Sequence, residues 1–180
     1  MKKIGLIDNL SDINRFTHDA LIDASAEDIL NATGGNTGNV AFVYGTQRCI
    51  ENSIVRIDWS MPPASVRDKV DHIVICCANQ LGSHVDLRTW SEKLRSFSLP
   101  VTLIGIGAQS TDTETYPDLP DGTHIFLRTV EDLKPTQYNN IATRGEFTSK
   151  FLKTLGIDST DLCCPSLFIS KDKEIGSKFL

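Results

Sequence analysis

Two long apolar runs constrain this chain more than any other feature: His72-Ile73-Val74-Ile75-Cys76-Cys77-Ala78 and Val101-Thr102-Leu103-Ile104-Gly105-Ile106-Gly107. Neither alternates strictly with polar residues, so each reads as a strand covered on both faces, as in a parallel sheet. Between them Leu87, Trp90, Leu94 and Phe97 recur at helical spacing, with Asp86 as the expected cap and Pro100 past the end. Strand, amphipathic helix and strand in that order make a βαβ unit.

The same alternation extends in both directions. Residues 4–8 and 53–58 read as strands; Met61-Pro62-Pro63-Ala64 breaks the second, and 65–69 read as a helical turn at most. Ser25 with Asp28 three residues on caps a short helix to Asn31, while 9–24 have no clean period. Val40, Phe42, Val43, Tyr44 and Ile50 support a helix over 38–51. Further on, 111–122 read as a polar loop. Ile125, Phe126, Val130 and Leu133 support a helix ended by Pro135. A short strand over 140–143, a helix over 145–155 closed by Gly156, and a strand over 161–164 stopped by Pro165 complete the pattern. The expected fold is α/β: a Rossmann-like parallel sheet with helices on both faces. It is expected as one domain over 1–180, a length that supports a real core.

Ligands of such sheets lie beyond the carboxyl ends of the strands. Those ends carry Asp58, Ala78-Asn79-Gln80, Gly107-Ala108-Gln109, Thr143-Arg144 and Pro165-Ser166. The loop Thr33-Gly34-Gly35-Asn36-Thr37-Gly38-Asn39 feeds a helix, where free N–H groups and the dipole suit an anion. A tight turn that caps its own helix and binds nothing reads equally well from these residue types. Arg144, directly before a helix, can fork two hydrogen bonds onto a carboxylate or phosphate, or pair with Glu146 or another nearby carboxylate. Asn79 and Gln80 can read hydroxyls. His84 is a candidate general base or only polar surface. Gly105 and Gly107 allow close backbone approach or tight packing.

Several function classes fall away. A net charge of −5 and a pI near 5.3, with no Lys/Arg cluster, give no footprint for nucleic acid. The apolar runs are far shorter than the ~20 residues of a membrane helix. The run from Ile4 stops at Asp8, short of a secretory core, so a cytoplasmic protein with no membrane span is expected. Five cysteines without a Cys-x-x-Cys argue against a disulfide framework; Cys76-Cys77 and Cys163-Cys164 both read as core residues. No metal motif occurs, and Asp8, Asp12 and Asp19 have no ligand spacing, so no metal is expected.

Five motifs in this order resemble the polysaccharide pyruvyl transferase family, over residues 33–170. They are Gly35-Asn36-Thr37-Gly38-Asn39, Ala78-Asn79-Gln80, Gly105-Ile106-Gly107-Ala108-Gln109, Thr143-Arg144-Gly145-Glu146-Phe147-Thr148 and Cys164-Pro165-Ser166-Leu167-Phe168. The resemblance implies one half of a glycosyltransferase-B-like fold, with the active site in the cleft between two Rossmann-like halves. It implies transfer of a pyruvyl (enolpyruvyl) group from phosphoenolpyruvate, as donor substrate, to a sugar of a polysaccharide or glycan. No cofactor is implied.

On that resemblance Gly35, Asn36, Thr37, Gly38, Asn39, Asn79, Gln80, Gly107, Gln109, Glu146 and Ser166 are expected to contact substrate. Arg144 would take an anionic group, and general-base duty falls to His84 by elimination. Two departures bear on this. Asn39 stands where many members have Asp, and members run to about twice this length. The chain is therefore expected to be the amino-terminal half, with 171–180 starting a connection to a second domain. A lone half would expose its cleft face, so that second domain or a second copy is the expected partner. Whether the chain is itself an enzyme stays open at this point. The alternatives are a non-catalytic sugar- or partner-binding domain and a nucleotide-sugar-dependent transferase of similar architecture.

Overall fold

Six strands form one parallel sheet in the order β2-β1-β3-β4-β5-β6. They are β1 (Ile4–Ile7), β2 (Ile54–Arg56), β3 (His72–Cys76), β4 (Val101–Ile106), β5 (Ile141–Thr143) and β6 (Thr160–Asp161). The computed structural model describes residues 3–10, 24–112, 114–135, 138–170 and 172. Helices α1 (Ala26–Ala32) and α2 (Gly38–Arg48) lie between β1 and β2. The remaining connections carry α3 (Pro63–Lys69), α4 (Arg88–Phe97), α5 (Asp121–Asp132) and α6 (Glu146–Thr154), and a 3-10 turn at Pro165–Phe168 follows β6. The chain first moves out to β2 and then returns past β1 to β3, so the strand order reverses between β1 and β3. Carboxyl ends near such a reversal are the usual place for a ligand.

The period of two along each strand divides the core between the two faces. Ile7, Ile73, Ile75 and Leu103 point to one face, against Val66 of α3, Leu94 and Phe97 of α4, Phe126 and Leu127 of α5, and Phe151 and Leu152 of α6. Leu6, Val74 and Cys76 point to the other face, against Phe42 and Val43 of α2. The fold is thus the α/β Rossmann-like arrangement expected, with helices on both faces. Trp59 stacks on Trp90 at 4.7 Å between ring centroids and closes the α4 side of the larger core.

Buried polar groups are paired rather than stranded. The Asn140 amide donates to the carbonyls of Val101 and Val130, both at 2.8 Å, and Ser91 bonds Thr129 at 2.7 Å between α4 and α5. Among the described residues no buried side-chain nitrogen or oxygen lacks a hydrogen-bond partner. No helix among the described residues is long and apolar enough to cross a membrane.

Some boundaries differ from the sequence expectation for identifiable reasons. Helix α3 has seven residues rather than one turn, because Pro63 at its start has its φ preset for a helix. Helix α5 begins at Asp121, inside the expected polar loop. Asp86, brought from 36 residues away, accepts the Gly122 N–H at 3.3 Å and packs where a side chain on Gly122 would stand. Asp86 therefore caps this site as well as Arg88, whose N–H it accepts at 2.8 Å. Strand β6 stops at Asp161, because Cys163 takes φ +66° and turns the chain out of the sheet. Cys163 is exposed and so is not core, Cys164 is half-buried against the smaller core, and Cys76 and Cys77 are buried in the core as expected. Asp12, Asp19 and most of 9–24 lie outside the described residues, as does all of the expected 171–180 connection except Asp172.

Burial pushes the Cys76 thiol from its ordinary 9.0 up to about 12 and raises Cys77 as well. Both stay neutral in the folded chain while the unfolded chain ionises them above pH 9.0. Their contribution is therefore complete below that pH and is lost as pH rises, at about 1.4 kcal/mol per pH unit per thiol. Cys76→Ala is expected to flatten the alkaline fall of stability measured by urea unfolding between pH 9.0 and about 12. Equal slopes in wild type and variant would contradict the assignment.

Candidate functional site

The carboxyl edge of the sheet is shaped by two glycines in β4 and the residue after it. The β4–β5 register shifts between Ile104 and Ile106, and Gly105 at that bulge sits at φ +72°, which favours glycine. A Cβ on Gly105 would stand 2.5 Å from Cζ of Phe42 and 3.0 Å from Cδ of Pro165. The missing side chain is what lets the Phe42 ring reach across from α2. That ring in turn supports Arg144, whose guanidinium carbon lies 6.0 Å from the ring centroid.

Arg144 leaves the end of β5, where its N–H donates to the Ile106 carbonyl at 3.1 Å. Nη2 donates to Oδ1 of Asn79 and rests over Gly107, where a Cβ would come within 2.6 Å of it. The pairing with Glu146 weighed from the sequence is not formed. Glu146 instead takes Lys150 at 2.9 Å, one turn further along α6. Among the described residues no carboxylate forms an ion pair with Arg144, so its half-buried charge is held by an amide oxygen and a ring face alone.

The segment 79–84 is braced against the same edge. Gly107 N–H donates to Ala78 O at 2.9 Å, Leu81 N–H to Gly107 O at 3.1 Å, and Gln109 N–H to Leu81 O at 2.7 Å. A parallel bridge between Leu81 and Ala108 carries the β3–β4 pairing past the strand ends. The Ala108 N–H donates to Oγ1 of Thr148 at 2.9 Å, which fastens the edge to α6. His84 is turned back on its own loop: Nε2–H donates to the Asn79 carbonyl at 2.9 Å, and Nδ1 faces Gly82. Asn79, Gly107 and Arg144 are thus brought together, while Gln109 is tied through its backbone to Leu81, His84 is tied to the Asn79 carbonyl, and Gln80 is half-buried in the connecting segment.

The glycine–asparagine loop lies against the end of β1. Gly34 and Gly35 take φ +65° and +79°, and a Cβ on Gly34 would stand 2.5 Å from the Asn9 carbonyl. Asn36 Oδ1 accepts the Gly38 N–H at 2.9 Å, and the buried Asn39 amide donates to Thr33 O at 2.8 Å. Asn39 therefore holds the turn together from inside, while Gly35, Asn36, Thr37 and Gly38 are exposed. Ser166 lies in the 3-10 turn with Oγ 3.0 Å from Cys164 Sγ. That turn packs on α2 through the Pro165 carbonyl, which occupies the space a side chain on Gly45 would need. Glu146 is exposed and pairs with Lys150 rather than with Arg144.

Two contributors were not read from the sequence. Phe42 scores as an ordinary core position, because its role depends on a bulge in a strand far along the chain. The other is the pair at the ends of β1 and β2, where the fully buried Asp8 carboxylate takes Arg56 in a fork, Nε to Oδ2 at 2.8 Å and Nη2 to Oδ1 at 2.5 Å. The same Nη2 donates to the Leu10 carbonyl. A cavity of about 150 Å³ adjoins the pair, lined by Asp8, Leu10, Arg56, Ile57 and Asp58. The Ser60 hydroxyl and N–H hold the Asp58 carboxyl below the ordinary carboxylate range. The available signal was an arginine in β2 beside an aspartate ending the neighbouring strand.

The seat of Arg144 can be tested without breaking the fold. Gly107→Ala meets only side-chain ends, the Arg144 guanidinium and Asn79 Oδ1, and no backbone, so the expected stability loss is below about 1 kcal/mol. The displaced guanidinium is expected to bind a small anion about tenfold more weakly, as a charge-assisted contact worth ~1.4 kcal/mol is lost. Urea unfolding and titration with phosphoenolpyruvate read the two effects separately; unchanged affinity would remove Gly107 from the seat.

Among the described residues no three metal-ligating side chains cluster. Comparison with family models, with curated proteins and with solved structures finds no match to this chain.

Proposed function

We propose that this chain is polysaccharide pyruvyl transferase-like and holds an anionic group, the carboxylate or phosphate of phosphoenolpyruvate, at Arg144. The observation that carries this reading is the Arg144 guanidinium, held at the carboxyl edge by Phe42, Asn79 and Gly107 without an ion-pair partner among the described residues. A planar fork left open in this way suits a carboxylate or phosphate. The Asn79 amide beside it suits a sugar hydroxyl. In the reaction proposed, two hydroxyls of one sugar form C–O bonds to C2 of phosphoenolpyruvate, the double bond takes one hydroxyl proton at C3 to give the methyl group, and the C2–O bond to phosphate breaks as inorganic phosphate leaves with the other proton, giving the pyruvate ketal.

His84 supports this site as a positioning residue. Its Nε2–H is engaged by the Asn79 carbonyl, so general-base duty would require that bond to break. The same observation favours a second reading, a sugar- or partner-binding domain that performs no chemistry. Thermal unfolding with phosphoenolpyruvate, a uridine diphosphate sugar and methyl glycosides, together with a phosphate-release assay, separates the readings. Phosphoenolpyruvate at a hundredfold excess over Kd is expected to stabilise the chain by about 2.7 kcal/mol, an effect lost in Arg144→Ala. Stabilisation by the nucleotide sugar alone would favour a nucleotide-sugar transferase. Stabilisation by glycosides alone without phosphate release would favour the binding domain, and no stabilisation by any of them would overturn the site.

A further inference from the structure

A second cleft opens on the α6 side of the edge, lined by Glu114, Tyr116, Glu146, Phe147 and Lys150, with a volume of about 440 Å³. That lies within the ~300–1,000 Å³ range of small-molecule sites. Its floor is aromatic and fixed. Tyr116 stacks on Phe151 at 5.1 Å between centroids and meets Phe147 at 5.3 Å, while remaining 38% exposed. The loop that presents Tyr116 is pinned: Asp112 Oδ1 accepts the N–H groups of Glu114 and Thr115 at 2.8 and 2.6 Å, and Ser110 Oγ donates to Thr115 O at 2.6 Å. A tyrosine ring, rigid at little entropic cost, is therefore offered to solvent with polar groups around it.

Those polar groups are charged, two carboxylates and one ammonium. Glu146 Oε1 accepts from Lys150 at 2.9 Å, which keeps both side chains at the cleft mouth and leaves Oε2 and two ammonium protons for a ligand. Glu114 adds further acceptors. The three charges sum to −1, which disfavours an anionic ligand. An aromatic face attracts the weakly positive C–H face of a pyranose, while carboxylate and ammonium groups match its hydroxyl rim. We propose that this cleft is a binding subsite for an uncharged hexose residue. It is argued from its own residues and stands whatever occupies the Arg144 site, although a glycan chain reaching both is compatible with the function proposed above.

The test is an amide-resolved NMR titration of the whole chain with the methyl glycosides of glucose, galactose and mannose, and with methyl glucuronide as the charged counterpart. At least one neutral glycoside is expected to shift the Tyr116, Phe147 and Lys150 amides, with the glucuronide at least fivefold weaker. Tyr116→Leu, which keeps apolar contact with Phe151, is expected to weaken that binding at least tenfold. Arg144→Ala is expected to leave it unchanged, so failure of the Arg144 site and failure of this subsite are read separately. The proposal is overturned if none of the three neutral glycosides shifts these amides, if the glucuronide binds as well, or if Tyr116→Leu binds like wild type.

Discussion

Arg56→Met is expected to destabilise the fold by about 3–5 kcal/mol, because it leaves a buried carboxylate without its counter-charge. Asp8 has no exposed side-chain surface, and both its oxygens are taken by the Arg56 fork. The guanidinium also holds the Leu10 carbonyl just past the end of β1, so the change loosens the chain where it leaves the sheet. A neutral side chain of similar length keeps the packing but cannot hold the charge. The double change Asp8→Asn with Arg56→Met removes the stranded charge and is expected to recover more than half of the loss. Urea unfolding of wild type, single and double variants measures both quantities. A single-variant loss below about 1 kcal/mol, the range of an exposed pair, would contradict the burial of Asp8.

The second large effect falls on the site itself. Gly105→Ala is expected to destabilise by about 2–5 kcal/mol, from left-handed backbone strain of ~1–2 kcal/mol and overpacking against Phe42 and Pro165 of ~1–3 kcal/mol. Phe42 must withdraw to admit the methyl group, and Arg144 loses the ring beneath it. Anion binding is therefore expected to fall together with stability, in contrast to Gly107→Ala, where binding falls with little change in stability. Urea unfolding and an anion titration on both variants give the comparison. A Gly105→Ala chain as stable as wild type would mean that the bulge is not the support of the site.

The parallel sheet was legible because the runs at 72–78 and 101–107 are too continuously apolar for a half-exposed strand, and the period of α4 between them leaves little choice of connection. Strand ends and helix starts were less so, because they are set across space. Asp86 caps α5 from the far side of α4, and Cys163 leaves the sheet through a backbone conformation its residue type does not announce. At the site, Asn79, Gln109 and Arg144 could be picked out as polar residues where strands end. Which of them carry no internal duty could not. Asparagine serves a ligand or a turn equally well, and Asn39 proves to be buried against Thr33 O while Asn79 reaches Arg144. Gly105, Gly107 and Phe42 matter through what approaches them, which is a property of the folded chain rather than of any local stretch.

Arg144 is proposed as an open anion seat. Calorimetric titration of the chain with phosphoenolpyruvate, compared with Arg144→Gln, tests it most directly. Wild type is expected to bind saturably and the variant with an affinity at least tenfold lower, equivalent to ~1.4 kcal/mol or more. Equal affinity in the two proteins, or no binding to wild type, would contradict it.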